Sequence, residues 1–234
     1  YGKISDKKRG VKTRIPNKKT SPRKKIKTYK KLKNFMKKQV VVIHGGDTFE
    51  RYEEFLSFLK NFQIDPDYFK KKGWKDTLQD KLGNDFEVIA PNMPNKINAK
   101  YLEWKIWFEK YFSFLNDGVI LAGHSLGGTF LAKYLSENLL PKKIKALMLV
   151  ATPFDDENSE ESLSDFVLPA SLEKITEQAD KIYLFHSKDD PVVPFAQANK
   201  YKTALPNSEI IVFTDRQHFN QEYFPEFIEL LKTL

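Results

Sequence analysis

From Met36 onward the sequence alternates between two hydrophobic patterns, and this alternation limits the possible fold more than any other feature. Val40 to Ile43 and Val119 to Ala122 are short continuous apolar runs. Such runs suit strands buried on both faces of a parallel sheet, where no position faces water. Between them lie segments with helical spacing, as in "TFERYEEFLSFLKNF", apolar at 49, 52, 55, 56, 59 and 62. "WKDTLQDKL" reads as a second helix, and "NAKYLEWKIWFEKYFSFL" as an aromatic-rich helix whose rings pack into the core. Further strands are predicted at "FEVIAPNMP", "IKALMLVATPF", "IYLFHSKDDPVVP" and "SEIIVFTDRQHF", and further helices at "SLEKITEQADK", "FAQANKYKTAL" and "FPEFIELLKTL". Strict βα alternation predicts an α/β fold with a doubly wound, mainly parallel sheet. Asp47 and Glu50 have the spacing of an N-terminal capping pair for the first helix.

In such sheets the chemistry gathers where strands end in loops. Ser125 sits in Gly123-His124-Ser125-Leu126-Gly127, between an apolar run and a helical segment. Strand, G-x-S-x-G turn and helix together form a nucleophile elbow, in which small neighbours let strand and helix approach closely around a strained serine. The last two strands end in Ser187-Lys188-Asp189-Asp190-Pro191 and in Asp215-Arg216-Gln217-His218-Phe219. A serine, an acid and a histidine therefore fall on separate loops at one sheet edge. His218 is the only histidine after these acids and is the expected base; His44 is expected to make a structural hydrogen bond, and His124 and His186 to pack. Asp190 is favoured over Asp189 because it directly precedes a proline, where extended backbone lets the side chain reach inward. Asp155 or Asp156 is the runner-up acid, and Asp215 reads as a turn residue. The chain has no cysteine, and its four histidines show no ligand spacing, so no disulfide framework, metal or cofactor is expected.

Charge divides the chain in two. Residues 1–35 hold 15 Lys/Arg and one acid, for +14, whereas the remaining residues hold 24 basic and 30 acidic residues, for −6. The first segment has no sustained apolar period and reads as a disordered tail, able at most to bind polyanions weakly and without sequence preference. "MKKQVVVIHGG" from Met36 reads as a start running into a first strand, which would make 1–35 upstream sequence and 36–234 the folded domain. No apolar run approaches the ~18 residues of a membrane span, so a cytoplasmic protein is expected.

The quoted residues carry a resemblance. "KKQVVVIHGG", "NMPN" at 92–95, "GHSLGG" at 123–128, "SKDDPVVP" at 187–194 and "HFN" at 218–220 are similar to the α/β-hydrolases. Within that fold they resemble the compact serine hydrolase family of the YdeN and retinoblastoma-binding type. The order serine, acid, histidine is also that of α/β-hydrolases. The resemblance covers Met36 to Leu234 and implies Ser125 as nucleophile, Asp190 as acid and His218 as base. It also implies an oxyanion hole from the amides of Leu126 and Gly46. A chain without cysteine cannot contain an L-x-C-x-E motif, so no retinoblastoma-protein partner is carried over.

The expected reaction is hydrolysis of small acyl esters, with thioesters and amides as related substrates, through an acyl-enzyme. The stretch between the strands at 144–152 and 181–186 is too short for a large lid, and Phe49, Phe154, Phe166, Val193 and Phe219 are the expected pocket walls. Two other function classes compete: a non-catalytic interaction module on the same scaffold, and a protein tethered to nucleic acid through its basic tail.

Overall fold

Two-sided burial organises the sheet. The computed structural model describes residues 37–66, 70–157 and 162–234. Segment 1–35 and the roles expected of it lie outside the described residues. Among the described residues, six strands, β1 (Lys38–Ile43), β2 (Phe86–Ile89), β3 (Val119–His124), β4 (Ile144–Val150), β5 (Ile182–Ser187) and β6 (Glu209–Phe213), form one sheet in the order β2-β1-β3-β4-β5-β6. Every pairing is parallel. Among the described residues, seven α-helices connect or follow these strands: α1 (Tyr52–Asn61), α2 (Trp74–Leu82), α3 (Tyr101–Glu109), α4 (Leu126–Glu137), α5 (Glu173–Gln178), α6 (Ala196–Ala204) and α7 (Pro225–Thr233).

Successive strand residues point to opposite faces. Val41, Ile43, Leu121, Leu147 and Leu184 pack with Trp104, Phe108 and Phe130 of α3 and α4 in one core. Val40, Val42, Ile120, Met148 and Phe185 pack with Trp74 and Leu78 of α2 and with Phe227 and Leu231 of α7 in the other. Each such side chain contributes about 1.5–3 kcal/mol by leaving water. This explains why the strands read as unbroken apolar runs. The aromatic helix meets the expectation in part: it buries Tyr101, Trp104 and Phe108, but it ends at Glu109, and Trp107 and Phe114 stay exposed.

Strand order also places the candidate site residues. The chain steps from β1 out to β2, returns past β1 to β3, and then proceeds to the opposite edge at β6. Loops leaving β1 and β3 therefore diverge, opening a crevice at their carboxyl ends. Ile43 lies in register with Gly123, which sets the His44-Gly45-Gly46 loop beside Ser125.

The capping pair differs from expectation. α1 begins at Tyr52 behind Arg51, whose amide donates to Glu54 at 3.2 Å. The Asp47 amide instead donates to the Lys96 carbonyl and its carbonyl accepts from Ala99, both at 2.8 Å, so Asp47 ties the β1 loop to the segment before α3. Glu50 accepts from the Ser162 hydroxyl at 3.0 Å. The helix starts five residues beyond Asp47, so the pair lies outside capping position and serves the neighbouring loops instead. The described part of the β4–β5 connection holds a short 3₁₀ turn at Ser164–Phe166 and the six-residue α5, with no large folded lid among the described residues. No helix among the described residues is long and apolar enough to cross a membrane.

Candidate active site

Ser125 occupies a strained turn that its neighbours enforce. Its backbone lies at φ 53°, ψ −128°, a conformation costing a non-glycine residue about 1–3 kcal/mol. The Ser125 amide donates to the Val150 carbonyl at 2.9 Å, and its carbonyl accepts from Gly128 at 2.8 Å. Two glycines make room for this crossing. A Cβ on Gly123 would meet the Gly127 carbonyl and the Gly128 backbone at 2.5 Å, and one on Gly127 would meet the Ile43 carbonyl at 2.5 Å. Gly127→Ala is expected to destabilise the fold by about 3 kcal/mol, because backbone at a sheet centre cannot move aside. Urea unfolding measures this, and an unchanged midpoint would contradict the packing argument.

The loops after β5 and β6 bring an acid and a histidine together. The Asp190 side chain is fully buried, and its carboxylate accepts from His218 Nδ1–H at 2.9 Å (Oδ2) and 3.1 Å (Oδ1). Oδ1 also accepts the amides of Val192 at 2.8 Å and Val193 at 2.9 Å, which hold the carboxylate in place. This bonding leaves Nε2 as the unprotonated ring nitrogen, by assignment of the network. Asp189 points elsewhere. It accepts from the Ser187 hydroxyl, and from the Gln217 amide at 3.0 Å, so it anchors the loop that carries His218. The Ser187 hydroxyl bond foremost, with the Gln217 amide, holds its carboxyl below the usual range. Asp155 is engaged by Lys200 at 2.6 Å and Gln197 at 3.1 Å, Asp156 by the Leu163 amide at 3.0 Å, and Asp215 by Arg216 at 3.0 Å.

The remaining histidines are held by hydrogen bonds, and His44 and His124, expected as a structural and a packing residue, also line the cleft that holds Ser125 and His218. His44 accepts the Met93 amide at Nε2 (2.9 Å). His186 donates to the Val193 carbonyl at 2.8 Å. His124 Nε2–H donates to the His218 carbonyl at 2.8 Å, while Nδ1 faces the Lys75 ammonium at 3.2 Å. Burial foremost, then the nearby Lys75 charge, holds His124 well below its ordinary value, so it stays neutral beside His218. Lys75 is itself pushed down to about 8 by burial, which outweighs the opposing pull of Asp76.

Ser125 and His218 line one cleft with Gly45, Gly46, His124 and Asn220. No hydrogen bond joins Ser125 Oγ to His218 among the described residues; such bonds are often loose until a substrate closes the site. Leu126 begins α4, so its amide has no carbonyl partner in an earlier turn. Gly46 lines a small cavity together with Ser125 and Leu126.

A family model described as serine hydrolase matches residues 69–231. The chain belongs to the serine hydrolase family. Among curated relatives, this serine hydrolase is 29% identical to serine hydrolase RBBP9 of Rattus norvegicus over 151 residues, covering 64% of this chain and 78% of that protein. It is 26% identical to YdeN of Bacillus subtilis over 162 residues, covering 69% of this chain and 75% of that protein. The crystal structure of the ydeN gene product of B. subtilis superposes with a TM-score of 0.68 at 21% identity, over 84% of this chain and 97% of that one. That likeness is one of fold, and the fold is that of the α/β-hydrolases.

In this serine hydrolase the expected pocket walls divide. Val193 lines the small cavity beside Ser125. Phe49 faces a neighbouring hollow with Thr48, Phe58 and Ser162. Phe154 is half-buried against Tyr201, ring centroids 5.0 Å apart. Phe166 and Phe219 are corrections: both are fully buried and belong to the cores, Phe166 against Trp104 at 5.3 Å and Phe219 against Phe224 at 5.1 Å. Positive φ at Gln217 and Phe219 (46° and 54°) turns the loop so that His218 faces the cleft while Phe219 goes inward. The cavity walls that sequence reasoning missed include Thr48, Pro153, Leu163 and Gln197. Gln197 had a readable signal only as a polar residue on the face of α6; it accepts the Phe154 and Asp155 amides at 2.7 and 3.0 Å, fixing the loop after β4.

Proposed function

We propose that this serine hydrolase cleaves esters of short acyl groups through Ser125, His218 and Asp190. The observation that carries the reading is the buried Asp190 carboxylate accepting His218 Nδ1–H, with Nε2 left bare in a cleft that Ser125 also lines. As Ser125 Oγ attacks the acyl carbon, its proton passes to His218 Nε2, and Asp190 stabilises the imidazolium. The carbonyl electrons collect on oxygen, facing the amides of Leu126 and Gly46; each such donor typically contributes about 2.7–4 kcal/mol to the transition state. Collapse breaks the bond to the leaving group, which takes the proton from His218. Water then repeats the sequence on the acyl-enzyme, releasing a carboxylic acid and restoring the Ser125 hydroxyl. A neutral His124 helps by supporting the His218 backbone without adding a second cation beside the imidazolium.

Acyl length follows from the cavity beside Ser125 and Leu126. It offers about 30 Å³, bounded by Thr48, Pro153, Leu163 and Val193, and Thr48 donates to the Ser162 carbonyl across its rim. That volume suits an acetyl-sized group. The kcat/KM for p-nitrophenyl acetate is expected to exceed that for p-nitrophenyl octanoate by more than about tenfold, since methylenes that do not fit cost roughly that much each. Rates rising with chain length would contradict the acyl assignment.

A further inference from the structure

The cleft on the His218 side contains two lysines that the acyl-transfer chemistry does not use. It has a volume of about 420 Å³, and Lys75 and Lys96 line it together with Asp47, Ile97, Asn220 and His218. Lys75 is poorly placed for a merely structural lysine. It is the second residue of α2, where the helix macrodipole already presents positive charge. Its half-buried ammonium lies over the Trp74 ring, 5.1 Å from the centroid, and its hydrogen-bond partner is a neutral imidazole nitrogen, His124 Nδ1 at 3.2 Å, so no anion among the described residues pairs with it. The nearest acid in sequence, Asp76, turns its carboxylate back to the Gly73 amide at 2.8 Å. Lys96 adds a second cation whose charge acts on Lys75, and neither lysine forms an ion pair among the described residues. Asp47 contributes the opposing carboxylate of the cleft, leaving a formal balance of one positive charge from two lysines and one aspartate. Ile97 and Val192 supply apolar walls.

Geometry says which part of a substrate meets these lysines. His218 protonates the departing group, so the leaving group lies on the His218 side. The small acyl cavity contains Ser125 and Leu126 but neither lysine nor His218. We infer that the Lys75–Lys96 cleft recognises a leaving group bearing a single carboxylate on a small apolar body, so that the preferred substrates are short-chain acyl esters of hydroxycarboxylic acids. The leaving-group assignment rests on the proposed role of Ser125, whereas the cleft's preference for an anion is independent of it. A monocarboxylate matches the single net charge, and an aryl or short alkyl body matches the volume and the Ile97 and Val192 walls.

The test separates the two claims. Full-length Ser125→Ala protein is titrated calorimetrically with 4-acetamidobenzoate, with its neutral counterpart 4-acetamidobenzamide, and with 4-acetamidophenyl phosphate. The carboxylate is expected to bind at least about tenfold more tightly than the amide, as a charge-assisted contact provides, and no more weakly than the phosphate. Lys96→Gln, at an exposed side chain that leaves the fold intact, and Lys75→Gln are each expected to reduce the carboxylate-to-amide ratio at least about threefold. Equal binding of acid and amide, a ratio unmoved by both substitutions, or tighter binding of the phosphate would overturn the inference. Wild-type turnover of 4-acetoxybenzoate is followed in parallel. A lysine-dependent preference for the carboxylate without turnover would sustain the anion cleft and remove the proposed cleavage of short-acyl esters at Ser125; turnover without that preference would do the reverse.

Discussion

Asp190→Asn is expected to lower kcat for p-nitrophenyl acetate by about 10⁴-fold while the protein remains folded. The reason lies in what the carboxylate accepts. Its Oδ1 takes the Val192 and Val193 amides, and both oxygens take His218 Nδ1–H. An asparagine can keep the two backbone amides on its carbonyl oxygen, but its NH₂ then faces His218 Nδ1 and requires that nitrogen to be an acceptor. The imidazole proton moves to Nε2, which can no longer take the proton of Ser125. Asp189→Asn is expected to cost a small fraction of this, because Asp189 acts only through the loop bonds to Ser187 and Gln217. Circular dichroism checks the fold of both variants, and steady-state kinetics gives the ranking. A larger loss for Asp189→Asn would move the acid to the neighbouring position.

The architecture was readable because burial leaves a direct trace in the sequence. Val40 to Ile43 and Val119 to Ala122 are apolar at every position because each strand has a helix layer on both faces. The Ser125 turn was readable for a related reason: Gly123 and Gly127 are required by contacts with backbone, which no side chain can avoid. Asp190 and His218 followed from their places at strand ends, since strand order brings those ends together whatever the loops do.

Loop direction left no such trace. Phe219 looks like a pocket wall from its place beside His218, yet two positive-φ residues rotate it into the core. Phe166 lies in the connection from β4 to β5, which leaves the same sheet edge, but its ring completes the aromatic cluster around Trp104 and Phe130. Asp47 and Glu50 have capping spacing, but backbone bonds to residues 96 and 99 and the Glu50 bond to Ser162 shape the loop so that the helix starts only at Tyr52, and long-range partners do not appear in a local pattern. Lys75 could not be singled out among 39 basic residues, because what distinguishes it is burial beside His124 rather than any motif.

Ser125→Ala is expected to remove at least about 10⁴ of the rate with p-nitrophenyl acetate, because attack by oxygen is then lost while only transition-state binding remains. The elbow itself should persist, as alanine occupies no more space than serine beside Gly45. Kinetics alone would leave open whether the serine becomes acylated. The most direct measurement is covalent labelling with a fluorophosphonate, which reacts only with a serine whose proton a neighbouring base can take, and needs no knowledge of the natural substrate. Wild type is expected to gain one label, mapped by peptide mass analysis to Ser125, with none on Ser125→Ala and little on Asp190→Asn. Unlabelled wild type, or equal labelling of wild type and Ser125→Ala, would contradict Ser125 as the nucleophile.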